Sequence, residues 1–252
     1  MPPNFKQRFG LLRSLFIYYG IPFRGNRLVQ LYQPFIKPGD LCFDIGAHVG
    51  NRLRAFSQLG ARVVALEPQP YMMNFLQRWY GRNKDIILLQ VGAGAHIGKT
   101  TMYVSDRTPT VTSLSESWIG MVQKDESFSN VTWDDKLPIQ LTTLDRLIQD
   151  YGMPTFCKID VEGYELEVLR GLTQPIPILS FEFIPVALQL AHACIRKLSD
   201  LGNYQFNWSM GESHKMSSQM WLSTIEMLRI LDTNLYEKAS GDIYARLIGN
   251  QK

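Results

Sequence analysis

The sequence predicts an α/β fold: one open, seven-stranded, mostly parallel sheet with helices on both faces. Three observations predict it. Short apolar runs of strand character alternate with longer segments of helical period along the chain. Two of these runs end abruptly in glycine and charge, as Asp44-Ile45-Gly46-Ala47-His48-Val49-Gly50 and as Lys158-Ile159-Asp160-Val161-Glu162-Gly163. In open α/β sheets ligands sit outside the carboxyl ends of the strands, so two such ends can face one ligand. Finally, no repeat and no low-complexity linker interrupts the pattern, which leaves one domain as the simplest organisation.

Residues 1–38 read as an N-terminal helical segment and 39–252 as the domain proper. In the first twenty residues Lys6, Arg8 and Arg13 flank Phe5, Phe9, Leu11, Leu12, Leu15 and Phe16. The apolar stretch is short and lacks a small-residue cleavage site, so it is not read as a secretory signal. It reads first as a helix packed on the domain, and otherwise as a basic amphipathic helix that touches a membrane or a partner. A second helix falls near 26–37 and the first strand at 41–45. Leu53, Phe56 and Leu59 mark a helix over 50–59 after the glycine turn. The strand at 62–67, the helix at 69–82 and the strand at 86–91 continue the alternation. Residues 95–140 break it: only Thr101–Val104 looks like a strand, and the rest is polar with Trp118 and Trp133 among it. A long irregular insertion in a compact domain is often functional, and its natural role here is to cap an acceptor pocket. Alternation resumes with strands at 155–160, 177–183, 203–209 and 241–248, and helices at 164–171, 185–201 and 220–231. The helix after Pro185 shows its period well, with Leu188, Ala191, Ile195 and Leu198 on one face and Arg196, Lys197 and Asp200 off it. The last strand is expected at the edge of the sheet.

Composition excludes several classes. The 252 residues carry 45% hydrophobic and 19% charged side chains, a globular balance. A net charge of +3 and no dense basic tract argue against a nucleic-acid partner. Cys42, Cys157 and Cys194 have no zinc or disulfide spacing and read as buried thiols of a reducing, cytoplasmic compartment. No apolar run reaches the roughly 18 residues of a membrane span.

The first turn reads as a cofactor site. Gly46 lets backbone approach a ligand, and Gly50 opens the following helix. The next strand, Arg62-Val63-Val64-Ala65-Leu66, ends at Glu67-Pro68, and Glu67 lies 23 positions after Asp44. An acidic residue there suits the two hydroxyls of a ribose, because a carboxylate only accepts hydrogen bonds. The pair allows NAD or S-adenosylmethionine. The D-x-G-x-x-x-G form has no three-glycine pyrophosphate cradle and so favours S-adenosylmethionine. At the third strand end, Gly92 and Ala93 leave room for a flat adenine ring, or serve only a turn. Asp44, Gly46, Ala47, His48, Gly50, Glu67, Pro68, Gly92 and Ala93 are therefore the candidate cofactor residues.

The second turn reads as the acceptor site. In an extended strand Lys158, Asp160 and Glu162 point to one side. Such a cluster can shift pKa values towards a working pH, or can simply be an ion network capping the next helix. Glu182 ends the neighbouring strand. Asp160, Glu182, Lys158 and Glu162 are the candidate catalytic residues. Asp160 and Glu182 could hold a divalent ion, but no third ligand stands at a convincing spacing, and no metal is expected.

With these residues in place, the chain resembles the FkbM-type S-adenosylmethionine-dependent methyltransferases. The resemblance rests on Phe43–Gly50, Ala65–Pro68, Thr143-Leu144-Asp145 and the stretch from Lys158 to Gly171, the most specific part. It covers about residues 40–185. His48 departs from it, since an asparagine is usual there. The resemblance implies a class I methyltransferase (Rossmann-like) fold and in-line methyl transfer to the hydroxyl of a sugar or other small acceptor. Its rivals are an NAD-dependent oxidoreductase, whose acid–base group has no place in the sequence, and an inactive cofactor-binding partner subunit.

Overall fold

The computed structural model describes residues 5–20, 24–105, 108–233 and 240–249. Two helices, α1 (Phe5–Tyr19) and α2 (Arg24–Tyr32), precede the first strand. The first half then runs β1 (Leu41–Ile45), α3 (Asn51–Gln58), β2 (Arg62–Leu66), α4 (Pro70–Tyr80) and β3 (Ile86–Leu89). Next come β4 (Gly92–Ala93), β5 (Gly98–Val104), α5 (Glu116–Val122), β6 (Asp135–Thr142) and α6 (Leu144–Tyr151). The second half is β7 (Phe156–Ile159), α7 (Glu165–Arg170), β8 (Ile178–Phe183), α8 (Leu188–Leu201), β9 (Tyr204–Met210), α9 (Thr224–Asp232) and β10 (Gly241–Leu247).

All seven predicted sheet strands form, in the order β3-β2-β1-β7-β8-β10-β9. Pairing is parallel from β3 through β8, and β10 is antiparallel to both of its neighbours. The expectation of an edge position for the last strand is corrected: β10 lies between β8 and β9, and β9 is the edge. A parallel sheet covered on both faces needs apolar side chains on both sides of each strand. Accordingly Phe43, Ile45, Val64 and Leu66 enter one core with α6, α7 and α8, while Cys42, Val63 and Ala65 enter the other with α2, α3 and α4. The three cysteines are free and buried.

The 95–140 stretch is more ordered than the sequence indicates. A second, three-stranded sheet has the order β4-β6-β5, and Ser115 caps α5 by accepting the Trp118 N–H. Trp118, Ile119 and Val122 of α5 build a third, small core with Ala187. Helix α6 is not among the predicted helices. Thr143 caps it through the Arg146 N–H, and Leu144, Leu147 and Ile148 are its buried face. Among the described residues no helix is long and apolar enough to cross a membrane.

Candidate active site

The turn after β1 is pinned to the end of β2. The N–H groups of Gly46 and Ala47 both donate to the Leu66 carbonyl, at 3.0 and 2.8 Å. Gly46 takes φ +87°, and a Cβ there would fall 1.8 Å from the carbonyl oxygen of Asp160. Only glycine lets the two turns meet so closely. His48 also has a left-handed backbone, at φ 48°, which aims its N–H at Glu67 Oε2 2.9 Å away. The Gln69 N–H donates to Glu67 Oε1 at 2.8 Å. Burial pushes the Glu67 carboxyl up to about 7, against the pull of these two amides. Each of its oxygens keeps a lone pair for a ligand.

The His48 ring lies under α1. Ser14 Oγ is 3.4 Å from His48 Nε2, the Tyr18 ring stands edge-on to the imidazole, and Tyr19 donates to the Val49 carbonyl at 3.0 Å. Burial lowers the imidazole to about 4, so it is neutral at physiological pH.

The turn after β7 is built by other means. Asp160 donates its N–H to the Ile45 carbonyl at 2.9 Å. The chain then turns through two left-handed residues, Glu162 and Gly163. Glu165 Oε1 accepts the N–H groups of Val161 and Gly163, at 3.1 and 3.3 Å. Ser113, from the 95–140 stretch, donates to the Glu162 carbonyl at 2.6 Å. A Cβ on Gly163 would fall 2.1 Å from Trp118 Cγ, so that stretch packs directly on the turn.

This turn brings Asp160, Glu162 and Glu182 together, with one oxygen of each within 4.8 Å of the others. Burial, and then the neighbouring carboxylates, push Glu162 and Glu182 well above the usual carboxylate range. Beneath them Lys158 Nζ pairs with Asp242 Oδ1 at 2.8 Å and with Asp160 Oδ2 at 3.2 Å. Burial alone would lower that ammonium, but the two carboxylates overcome it and raise it. Three carboxylates at this spacing could ligate a divalent cation, and the third ligand that spacing in the sequence did not offer is Glu162.

Between the two turns lies a cleft of about 930 Å³, counting its mouth open to solvent. The methyltransferase FkbM domain model matches residues 44–235. The chain belongs to the FkbM methyltransferase family. Hexuronic acid methyltransferase AglP of Haloferax volcanii is 23% identical over 167 residues, 65% of this chain and 63% of that protein. The match thus spans under two thirds of that relative. Precorrin-6y C5,15-methyltransferase from Geobacter metallireducens aligns over 88% of this chain and 86% of its own, at 14% identity and TM-score 0.47. The O-methyltransferase from Bacillus cereus, solved in complex with SAH, aligns over 98% and 93%, at 11% identity and TM-score 0.45.

In this FkbM-family chain the cleft wall includes Gly46, His48, Glu67, Pro68, Gly92 and Ala93 from the candidate cofactor set. Asp44, Ala47 and Gly50 lie behind that wall. From the catalytic set Asp160, Glu162 and Glu182 line the cleft. Lys158 does not: it has no exposed surface and acts as a buried counter-ion, which corrects its expected place on the acceptor side. Asp44 is buried, and burial pushes its carboxyl up to about 7 against the pull of Arg52 and Lys158. The sequence reading missed Tyr18, Arg52, Thr110, Thr112 and Glu212, which also line the cleft. Arg52 was legible in part, because it follows the glycine turn at the start of a helix. The others come from α1 and from loops that carry no motif.

Proposed function

We propose that this chain methylates a hydroxyl of a saccharide or other small acceptor, with S-adenosylmethionine as the methyl donor. The observation that carries this reading is one cleft lined by two chemically different sets of residues. One set is Glu67 with the small residues Gly46, Gly92 and Ala93. The other is the three-carboxylate cluster.

These residues fit the cofactor. Glu67 would hold the ribose, the small-residue wall at Gly92 and Ala93 would take the adenine, and Gly46 would admit the amino-acid portion. S-adenosylmethionine supplies, when bound, a methyl group already activated on a sulfonium. The chain therefore contributes orientation, exclusion of water and removal of the acceptor's proton. Asp160 is held by Lys158 and fixes the acceptor. Glu182 faces the same space from the next strand and accepts the hydroxyl proton. The hexuronic acid substrate in the name of the Haloferax relative supports a saccharide acceptor, and the O-methylation reading rests on it and on the carboxylate cluster.

The test is calorimetric titration of S-adenosylhomocysteine into the purified chain beside Glu67→Ala. Micromolar binding that weakens about tenfold or more in the variant, a loss of about 1.4 kcal/mol, is expected. A folded wild-type chain that binds NAD and not S-adenosylhomocysteine overturns the reading.

A further inference from the structure

Helix α1 has two unlike faces. Its inner face touches the site through Ser14, Tyr18 and Tyr19, and Ser14 is 1% exposed. Its outer face carries Phe9, Leu12 and Phe16, which are 56%, 65% and 74% exposed. At about 100° per residue these three fall within a stripe about 60° wide, and Ser14 lies about 170° from its centre. Arg8 and Arg13 fall about 40° beyond the two edges of the stripe. Both are exposed, and the helix sequence contains no Asp or Glu.

Three large apolar side chains in a row, bordered on both sides by arginine and by no acid, form a surface that water solvates poorly. We propose that α1 lies on an anionic lipid surface, with Phe9, Leu12 and Phe16 entering the headgroup–acyl boundary and Arg8 and Arg13 meeting lipid phosphates. The charge decides the occupant. Long arginine side chains can extend along the helix to reach headgroups while the apolar stripe sinks, and anionic lipid attracts them further. The same helix supports the His48 turn from its other face, so the cleft is carried by the element that docks. This surface does not depend on the methyltransferase reading.

The experiment is flotation of the full chain with phosphatidylcholine vesicles, with and without phosphatidylglycerol. The wild type is expected to float with the anionic vesicles and less with the neutral ones, and high salt should weaken the attachment. Leu12→Ser/Phe16→Ser, on exposed positions, should keep the melting temperature and lose at least about tenfold in vesicle partitioning. Arg8→Glu/Arg13→Glu should lose the preference for anionic lipid. Wild-type protein that stays unbound, or a Leu12→Ser/Phe16→Ser variant that floats equally well, overturns the proposal. So does sedimentation showing that the stripe instead pairs two copies of the chain, with the same variant monomeric and the wild type unable to float.

Discussion

A Cβ on Gly46 would lie 1.8 Å from the carbonyl oxygen of Asp160, so the turn after β1 and the turn after β7 are in backbone contact. Gly46→Ala must both adopt φ +87° and force the turns apart. Gly39 separates the two costs, because it has the same φ of +87° with nothing within 4 Å of a Cβ. Left-handed alanine alone costs about 1–2 kcal/mol. Gly39→Ala should therefore lower the melting temperature by about 2–8 °C with S-adenosylhomocysteine affinity unchanged. Gly46→Ala should melt lower still and lose about tenfold or more in affinity, as read by calorimetry.

Buried Lys158 leads to a different expectation. It pairs with Asp160 and Asp242, and Arg52 Nη2 also approaches Asp242, at 3.6 Å. Removing one partner of a buried pair leaves the others uncompensated, typically at about 3–5 kcal/mol. Lys158→Met should destabilise the fold by that order in chemical denaturation. Adding Asp160→Asn to it should recover part of the loss, because Asp160 loses its ion-pair partner in the single variant whereas Asp242 keeps Arg52. Equal stability of the single and double variants would argue against the pairing.

The sheet was legible because its strands are apolar on both sides and bounded by glycine and charge. Phe43 and Ile45 face one core while Cys42 faces the other, a pattern that periodicity reads directly. The place of Glu67 beside the glycine turn was legible because strand length and helix length fix its distance from Asp44. Two things were not. The place of β10 between β8 and β9 depends on a long-range pairing, Ile243 with Phe181 and Trp208, that local pattern does not encode. The contribution of Tyr18 depends on how α1 packs across His48, which its mixed apolar face does not specify. Glu162 shows a middle case. Its charge was evident, but only the left-handed backbone at φ 51° sets it beside Glu182.

Asp44 should make stability fall with rising pH. Its folded-state pKa is pushed up to about 7 by burial, against an unfolded value of about 3.9. The native state thus binds the proton more tightly, and the favourable contribution present below about 4 is lost as pH rises through 7. Asp44→Asn removes the charge and should be more stable than wild type at pH 8 by on the order of 2–4 kcal/mol. The gap should shrink steadily towards pH 4. Denaturant melts across that range give the difference, and a gap independent of pH would mean that Asp44 does not titrate as described.

Glu182 is the group to test for proton removal. It is crowded by Glu162 and Asp160, and burial with those charges lifts its pKa well above the ordinary carboxylate value of about 4.3. A base must be ionised to act, so the rate should climb with pH along a limb that lies above that ordinary range. Glu182→Gln keeps the size of the side chain and removes its basicity. It should lower kcat by about 10²–10⁴ while S-adenosylhomocysteine binding stays close to wild type, since Glu67 and the glycine turn are untouched. The same variant takes one charge from the cluster, so Glu162 should ionise at lower pH and any residual rate should rise on a limb shifted towards acid. A variant with normal kcat and an unmoved limb would remove Glu182 from the chemistry and leave Asp160 or Glu162 as the acceptor of the proton.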